Sequence, residues 1–339
     1  MYSVYQHWDP LKVCIVGRSY PPEFYSWIQI PHVRSLFEKI AIETEEDYQN
    51  IVKKLESFGV EVLRPTVLSD SYHYLLPDDS RHLPPPMTPR DESVMVGDTF
   101  FQRFNTAPGW VGGYEHIVEH VQSQGNIVRK NYNGQIINGA MISRIGRDLY
   151  FGTDRPSQDQ SELQHLVDNE FKTTRNHIVD TSGHGDGTYC PVCPGLIISL
   201  TDVPTYADTF PGWEVVYLPG QSWDAVVPFL KLKEKNAGRW WIPGFEHDQD
   251  VVNTVETWLG HWTGYVEETV FDVNMLIIDP KNVIVFNYNK QVFDALDRYG
   301  ITPHIVPFRH RYFWDGGIHC ITSDLHREGS MQDYFPQRG

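Results

Sequence analysis

Four stretches of this sequence set a reactive or ionisable side chain among glycines or directly before an apolar run. They are TPRDESVMVGD (88–98) with Asp91, IINGAM (136–141) with Asn138, SGHGDGTY (182–189) with His184 and Asp186, and WDGGIHCITSD (314–324) with Cys320. Each has a plain structural reading. Asp91 after Arg90 suits a loop acceptor, Gly-His-Gly-Asp-Gly suits a tight turn, and a free Cys is commonly a small buried hydrophobe. As a set they offer a nucleophile, a base and two carboxylates, beside glycines that let backbone approach a ligand. Asp91 and Asn138 lie 47 positions apart, and Asn138 and His184 lie 46 apart. Such intervals place equivalent points of successive structural units at one rim.

That set suits a guanidinium group. Guanidinium is planar and cationic and donates in several directions, so carboxylates grip it bidentately. Its carbon resists attack, and a thiolate is among the few side chains nucleophilic enough to react there. The positive charge of the substrate favours thiolate over thiol. His184 is placed to protonate a departing amine and to deprotonate an incoming nucleophile.

The elements that must position these residues repeat. Near the end, VNMLIID (273–279), a turn at 280–282 and VIVFN (283–287) read as a strand hairpin. KQVFDALDRYG (290–300) follows as a helix stopped by Gly300, and HIVPF (304–308) as a strand. AMISRI (140–145), GRD, LYFGT (149–153), SELQHLVDNEF (161–171) and HIVDT (177–181) give the same order. The N-terminal part holds a piece of it. There LKVCIVGR (11–18) predicts a strand, TEEDYQNIVKKLESFG (44–59) a helix and VEVLRP (60–65) a strand. Thr44 and Asp47 fit a capping box and Gly59 a helix stop. Shared element order favours one closed array, residues 1–339 as a single domain, over two unrelated domains. HLPPPMTP (82–89) reads equally as a linker or a rigid surface loop.

Composition narrows the function class. The chain has 339 residues, 40% of them hydrophobic, with ten Trp and eighteen Tyr, as in an ordered globular protein. Its 44 acidic and 28 basic residues give a formal charge of −16 without a basic stripe, which argues against nucleic acid as a partner. No apolar run approaches the ~20 residues needed to span a bilayer. The start, MYSVYQHWDPLKV, lacks the pattern of a secretory signal, so a cytoplasmic location is expected. Cys190 and Cys193 have metal-type spacing, but no second pair sits at a matching distance, and no metal or other cofactor is expected.

The motifs WDPLKVCIVGR (8–18), PRDESVMVGD (89–98), RIGRD (144–148), HGDG (184–187), VNMLIIDPKNVIVFN (273–287) and DGGIHCITSDLHREG (315–329) span nearly the whole chain. In this order they resemble the amidinotransferases of the pentein, or guanidino-group modifying, superfamily. The resemblance implies an α/β fold, a five-bladed propeller of ββαβ units around a central site. It also implies a ping-pong transfer of an amidino group from a guanidino donor such as arginine to an acceptor amine. Cys320 would be the nucleophile and His184 the acid/base, and Asp91 and Asp186 would hold the guanidinium. A homodimer is expected from relatives. The chain departs from the family at Asn138, where an aspartate normally partners the catalytic His. An amide can orient His184 but cannot stabilise an imidazolium by charge. Val203 aligns with a substrate-gripping arginine, and Glu267 and Glu268 with a serine pair, which points to a more cationic substrate. The alternatives are a guanidino-group hydrolase, or a catalytically impaired binding protein for guanidino compounds.

Overall fold

The computed structural model describes residues 1–67, 84–103, 108–131, 138–153, 157–181, 183–200, 205–218, 240–260, 262, 272–314 and 316–339. The repeat expected from the sequence is present as five three-stranded sheets. In chain order the strands are β1 (Leu11–Val16), β2 (Glu61–Leu63), β3 (Ser93–Val96), β4 (Thr99–Arg103), β5 (Ile127–Asn131), β6 (Ile142–Ile145), β7 (Asp148–Thr153) and β8 (Arg175–Asp180). They continue as β9 (Tyr189–Cys193), β10 (Leu196–Ser199), β11 (Glu214–Tyr217), β12 (Leu276–Asp279), β13 (Asn282–Val285), β14 (Thr302–Ile305) and β15 (Thr322–Arg327).

Every sheet has one plan. A first strand pairs antiparallel with the second, and the second pairs parallel with the third: β3-β4-β5, β6-β7-β8, β9-β10-β11 and β12-β13-β14. Antiparallel neighbours need only a short turn, whereas parallel ones need a crossover. The turns at Gly146 and Gly195 accordingly have φ of 64° and 92°. The crossovers are Pro108–Ser123, Ser157–Glu170, the short helix Tyr206–Thr209, and Lys290–Arg298. In the remaining sheet, β15 pairs antiparallel with β1, and β1 parallel with β2. The C-terminal strand thus supplies the first strand missing from the N-terminal unit and closes the ring.

Most element boundaries differ from the sequence reading by a few residues, but one helix differs in kind. The first crossover helix is Pro31–Glu56, not 44–59. Pro31 starts it, and Val33, Phe37, Ile40 and Ala41 carry its buried face upstream. Thr44 and Asp47 are therefore buried mid-helix residues rather than a capping box. Thr44 accepts the indole N–H of Trp314 at 2.8 Å, and Asp47 accepts the Arg309 backbone N–H at 2.7 Å. Gly59 does end the segment, with φ of 75°. The described part of the proline-rich stretch is anchored, which favours the rigid-loop reading. Tyr48 donates its hydroxyl to the Met87 carbonyl at 2.9 Å, and the Arg18 N–H donates to the Pro86 carbonyl at 2.9 Å.

The first strands meet around a buried ionic cluster. Asp324 on β15 pairs with Arg90 (2.7 Å), with Arg144 on β6 (2.7 Å) and with Arg327 (2.7 Å), and all four side chains are essentially inaccessible. Arg144 also donates to the Met95 carbonyl on β3, and Arg327 to the Ile277 carbonyl on β12. One carboxylate thereby ties four of the five first strands together. The arginines hold the Asp324 carboxyl well below its ordinary range despite its burial. No described helix is long and apolar enough to cross a membrane.

Candidate active site

The chemistry-bearing residues lie in the short turns that lead into the first strands. Asp91 is in the turn Pro89–Glu92, which runs directly into β3. Asn138 caps the turn Gly139–Met141 before β6, its Oδ1 accepting the Ala140 N–H at 2.9 Å. His184 precedes the turn Gly185–Gly187 before β9, and Asp186 lies within it. Cys320 stands just ahead of β15. Adjacent turns pack closely. A Cβ on Gly139 would lie 2.5 Å from the Arg90 carbonyl oxygen, so only glycine lets these turns approach.

Two hydrogen-bonded groups form. In the first, His184 Nε2 lies 3.0 Å from Asn138 Nδ2, and His184 Nδ1 lies 3.9 Å from Asp91 Oδ1. In the second, Asp186 Oδ2 accepts the His319 Nδ1–H at 2.7 Å and lies 3.5 Å from the Cys320 sulphur. Burial, reinforced by the Arg90 guanidinium, holds His319 well below the usual imidazole value. The His319 ring is thereby tied to Asp186 rather than to the His184 group. Backbone joins the groups, because the Arg90 N–H, next to Asp91, donates to the Cys320 carbonyl at 3.3 Å.

A residue at the fifth strand entrance completes the ring, and the sequence reading gave it no role. Asn274 lies just before β12, 46 positions ahead of Cys320. Its Oδ1 accepts the backbone N–H groups of His319 (2.8 Å) and Cys320 (3.2 Å). Its Nδ2 donates to the Cys320 sulphur at 3.0 Å and to the Asp186 carbonyl at 3.3 Å. The interval that links Asn138 to His184 was the signal for it.

Asn274 also corrects the reading of the glycines. Gly317 is one of the two glycines of WDGGIHCITSD, which as part of the set read as letting backbone approach a ligand. A Cβ there would lie 2.3 Å from Asn274 Oδ1, so what Gly317 makes room for is the Asn274 side chain. Gly316 is tight against Ile321 and Cys320 at 3.1 and 3.4 Å.

The other thiols are structural. Cys14, Cys190 and Cys193 are buried, with burial pushing Cys14 and Cys190 up to about 12 and Cys193 up to about 11. Cys190 and Cys193 are ordinary members of β9. Val203, Glu267 and Glu268 lie outside the described residues.

No protein-family model matches the chain. It is 23% identical to inosamine-phosphate amidinotransferase 1 of Streptomyces glaucescens, covering 98% of each chain. It is likewise 23% identical to the mitochondrial glycine amidinotransferase of Xenopus laevis, covering 98% of this chain and 84% of that one. Among solved structures, the saxitoxin-pathway amidinotransferase of Microseira wollei superposes with a TM-score of 0.68 at 19% identity, over 98% and 99% of the two chains. The dimethylarginine dimethylaminohydrolase of Pseudomonas aeruginosa superposes at 0.54 and 12% identity, over 93% and 99%. Over nearly its whole length the chain is thus similar to amidinotransferases, and its five sheets have the fold of the amidinotransferase and dimethylaminohydrolase structures it superposes on.

Proposed function

We propose that the protein is an amidinotransferase in which Cys320 takes an amidino group from a guanidino donor and delivers it to an acceptor amine. The observation that carries this reading is the setting of the Cys320 sulphur. It lies between the Asn274 amide N–H and the Asp186 carboxylate, with His184 and Asp91 on neighbouring turns of the same rim.

Asp186 and Asp91 accept N–H groups of the guanidinium and fix its plane. A cation held by Asp186 beside the sulphur favours the thiolate, and so does the Asn274 donor. As the guanidinium binds, the Cys320 thiol gives its proton to the neutral His184; the sulphur bonds to the guanidino carbon, and the bond from that carbon to the departing nitrogen breaks as His184 passes that proton to the amine. The acceptor amine then attacks the amidino carbon and gives a proton to His184, the carbon–sulphur bond breaks to release the thiolate, and His184 returns the proton to it. No cofactor enters this cycle. One unit spanning residues 1–339 would carry it out, in the cytoplasm and as a homodimer, which cell fractionation and sedimentation would test.

Incubation with arginine and a panel of amines, followed by mass spectrometry, tests the reading. Ornithine that appears only with an added amine supports transfer. Citrulline or ammonia released without an amine supports the second reading, hydrolysis, which the fold shared with a dimethylaminohydrolase keeps in view. Turnover that survives Cys320→Ala contradicts both.

A further inference from the structure

We propose that Asn138 is a positioning residue that holds His184 neutral, with Nε2 unprotonated and the proton on the Nδ1 that faces Asp91. The inference deepens the amidinotransferase reading and rests on it for its catalytic meaning.

The Asn138 amide has a fixed orientation. Its two ends differ only in that oxygen accepts and nitrogen donates, so the partners decide its orientation. At one end stands the Ala140 N–H, which can only donate, 2.9 Å from Oδ1. This bond caps the turn Gly139–Met141. Turning the amide over would set an NH2 group against that N–H. The NH2 group therefore faces His184, 3.0 Å from Nε2, and Nε2 must accept. A neutral imidazole has one donor and one acceptor, so Nδ1 carries the proton. Nδ1 lies 3.9 Å from Asp91 Oδ1, too long for a hydrogen bond but close enough for its charge to act.

Protonating the ring would add an N–H at Nε2, pointing at the amide N–H. Relief requires the amide to invert and abandon Ala140. A carboxylate at position 138 would carry no such opposition, because it accepts from both Ala140 and Nε2–H. Asn138 thus lowers the pH at which His184 acquires its second proton, and Asp91 becomes the carboxylate that supports the imidazolium.

Among the described residues, the charged and titratable groups on the elements around the ring are these. The turn Pro89–Glu92 presents Asp91 to the ring, with Glu92 beside it pushed up to about 8 by burial. Gly139–Met141 carries no ionisable side chain. On His184's own turn, Asp186 is engaged with His319 and Cys320. Arg144 of β6 is committed to Asp324, and Asp148 of β7 to Arg175, Arg338 and His177. Within β9, the Cys190 and Cys193 thiols and the Tyr189 phenol are all raised by burial.

The test is nitrogen-15 NMR of the ligand-free protein, with His184 assigned by difference from His184→Gln. Expected are an acceptor-type Nε2 and a protonated Nδ1 in the parent protein. In Asn138→Asp the tautomer should reverse, and the titration should move up by about one to two pH units. Asn138→Ala, which removes the opposing donor without adding a charge, should move it up by less. The acidic limb of the kcat/KM profile should follow the same order. A protonated Nε2 in the parent protein, or a titration that neither variant moves, overturns the proposal. The tautomer is read without substrate. Absence of any arginine-derived adduct on Cys320 would therefore fail the transferase reading while leaving the NMR result to decide this one.

Discussion

Asn274→Ala separates a thiol that is merely buried from one that is prepared to react. The substitution removes the acceptor for the His319 and Cys320 N–H groups and the donor to the Cys320 sulphur. Asn274 is only 6% exposed, so water does not simply replace it. A buried donor left without a partner costs about 1–3 kcal/mol, and two set an upper range of about 2–6 kcal/mol. Partial relaxation of the loop should leave roughly 2–4 kcal/mol of lost stability. A hydrogen bond to a charged group contributes about 1.5–3 kcal/mol, and one pKa unit corresponds to about 1.4 kcal/mol. Losing the bond to the thiolate should therefore move the Cys320 titration up by about one to two pH units, leaving ~10–100-fold less thiolate near neutrality. The assay is the rate of iodoacetamide alkylation at Cys320 across pH, read by mass spectrometry. Cys14, Cys190 and Cys193, all raised to about 11 or 12, serve as internal unreactive references. An alkylation profile that coincides with that of the parent protein would show that Asn274 does not activate the sulphur.

The packing of Gly317 against Asn274 predicts coupling: Gly317→Ala should destabilise the parent protein strongly but cost at least ~1 kcal/mol less in the Asn274→Ala background. Strict additivity in denaturant melts would contradict the contact. Asp324→Asn strands three buried guanidinium groups and should cost about 3–5 kcal/mol at neutral pH. Because the folded-state value of Asp324 is depressed, its contribution is present above the unfolded value of ~3.9 and fades as pH falls toward the folded one. The gap between variant and parent in denaturant melts should narrow accordingly. Glu92 has the opposite sign. Burial, with Asp91 adding to it, raises its carboxyl to about 8, so between roughly 4.5 and 8 the unfolded chain ionises while the folded one does not. Glu92→Gln should therefore match the parent in acid and gain stability over it as pH rises to about 8. A constant difference across that range would show that Glu92 is not held protonated.

The repeat was legible because each unit writes its parallel pairing into the chain. A hairpin, a crossover helix and a returning strand leave periodicities that a reader can follow, and β12 to β14 show it plainly. The start of the Pro31–Glu56 helix was not legible, because the pair Thr44 and Asp47 imitates a cap while tertiary contacts with Trp314 and Arg309 explain both residues. At the site, Cys320, His184, Asp91, Asp186 and Asn138 stood out as polar groups at strand entrances. Asn274 has the same position but no glycine beside it, and an asparagine before an apolar strand is unremarkable until its hydrogen bonds are known. The orientation of the Asn138 amide was beyond the sequence altogether. It depends on a backbone N–H two residues away, in a turn whose geometry only the folded chain defines.

The central claim is that Cys320 carries the amidino group between donor and acceptor. The most direct measurement is intact-protein and peptide mass spectrometry after brief mixing with arginine alone and rapid acid quenching. A mass gain of one amidino group located on Cys320 is expected. That adduct should disappear when an acceptor amine is added before quenching, and should be absent from Cys320→Ala. Turnover to an amidinated amine with no adduct on Cys320, or with turnover unchanged in Cys320→Ala, would contradict it.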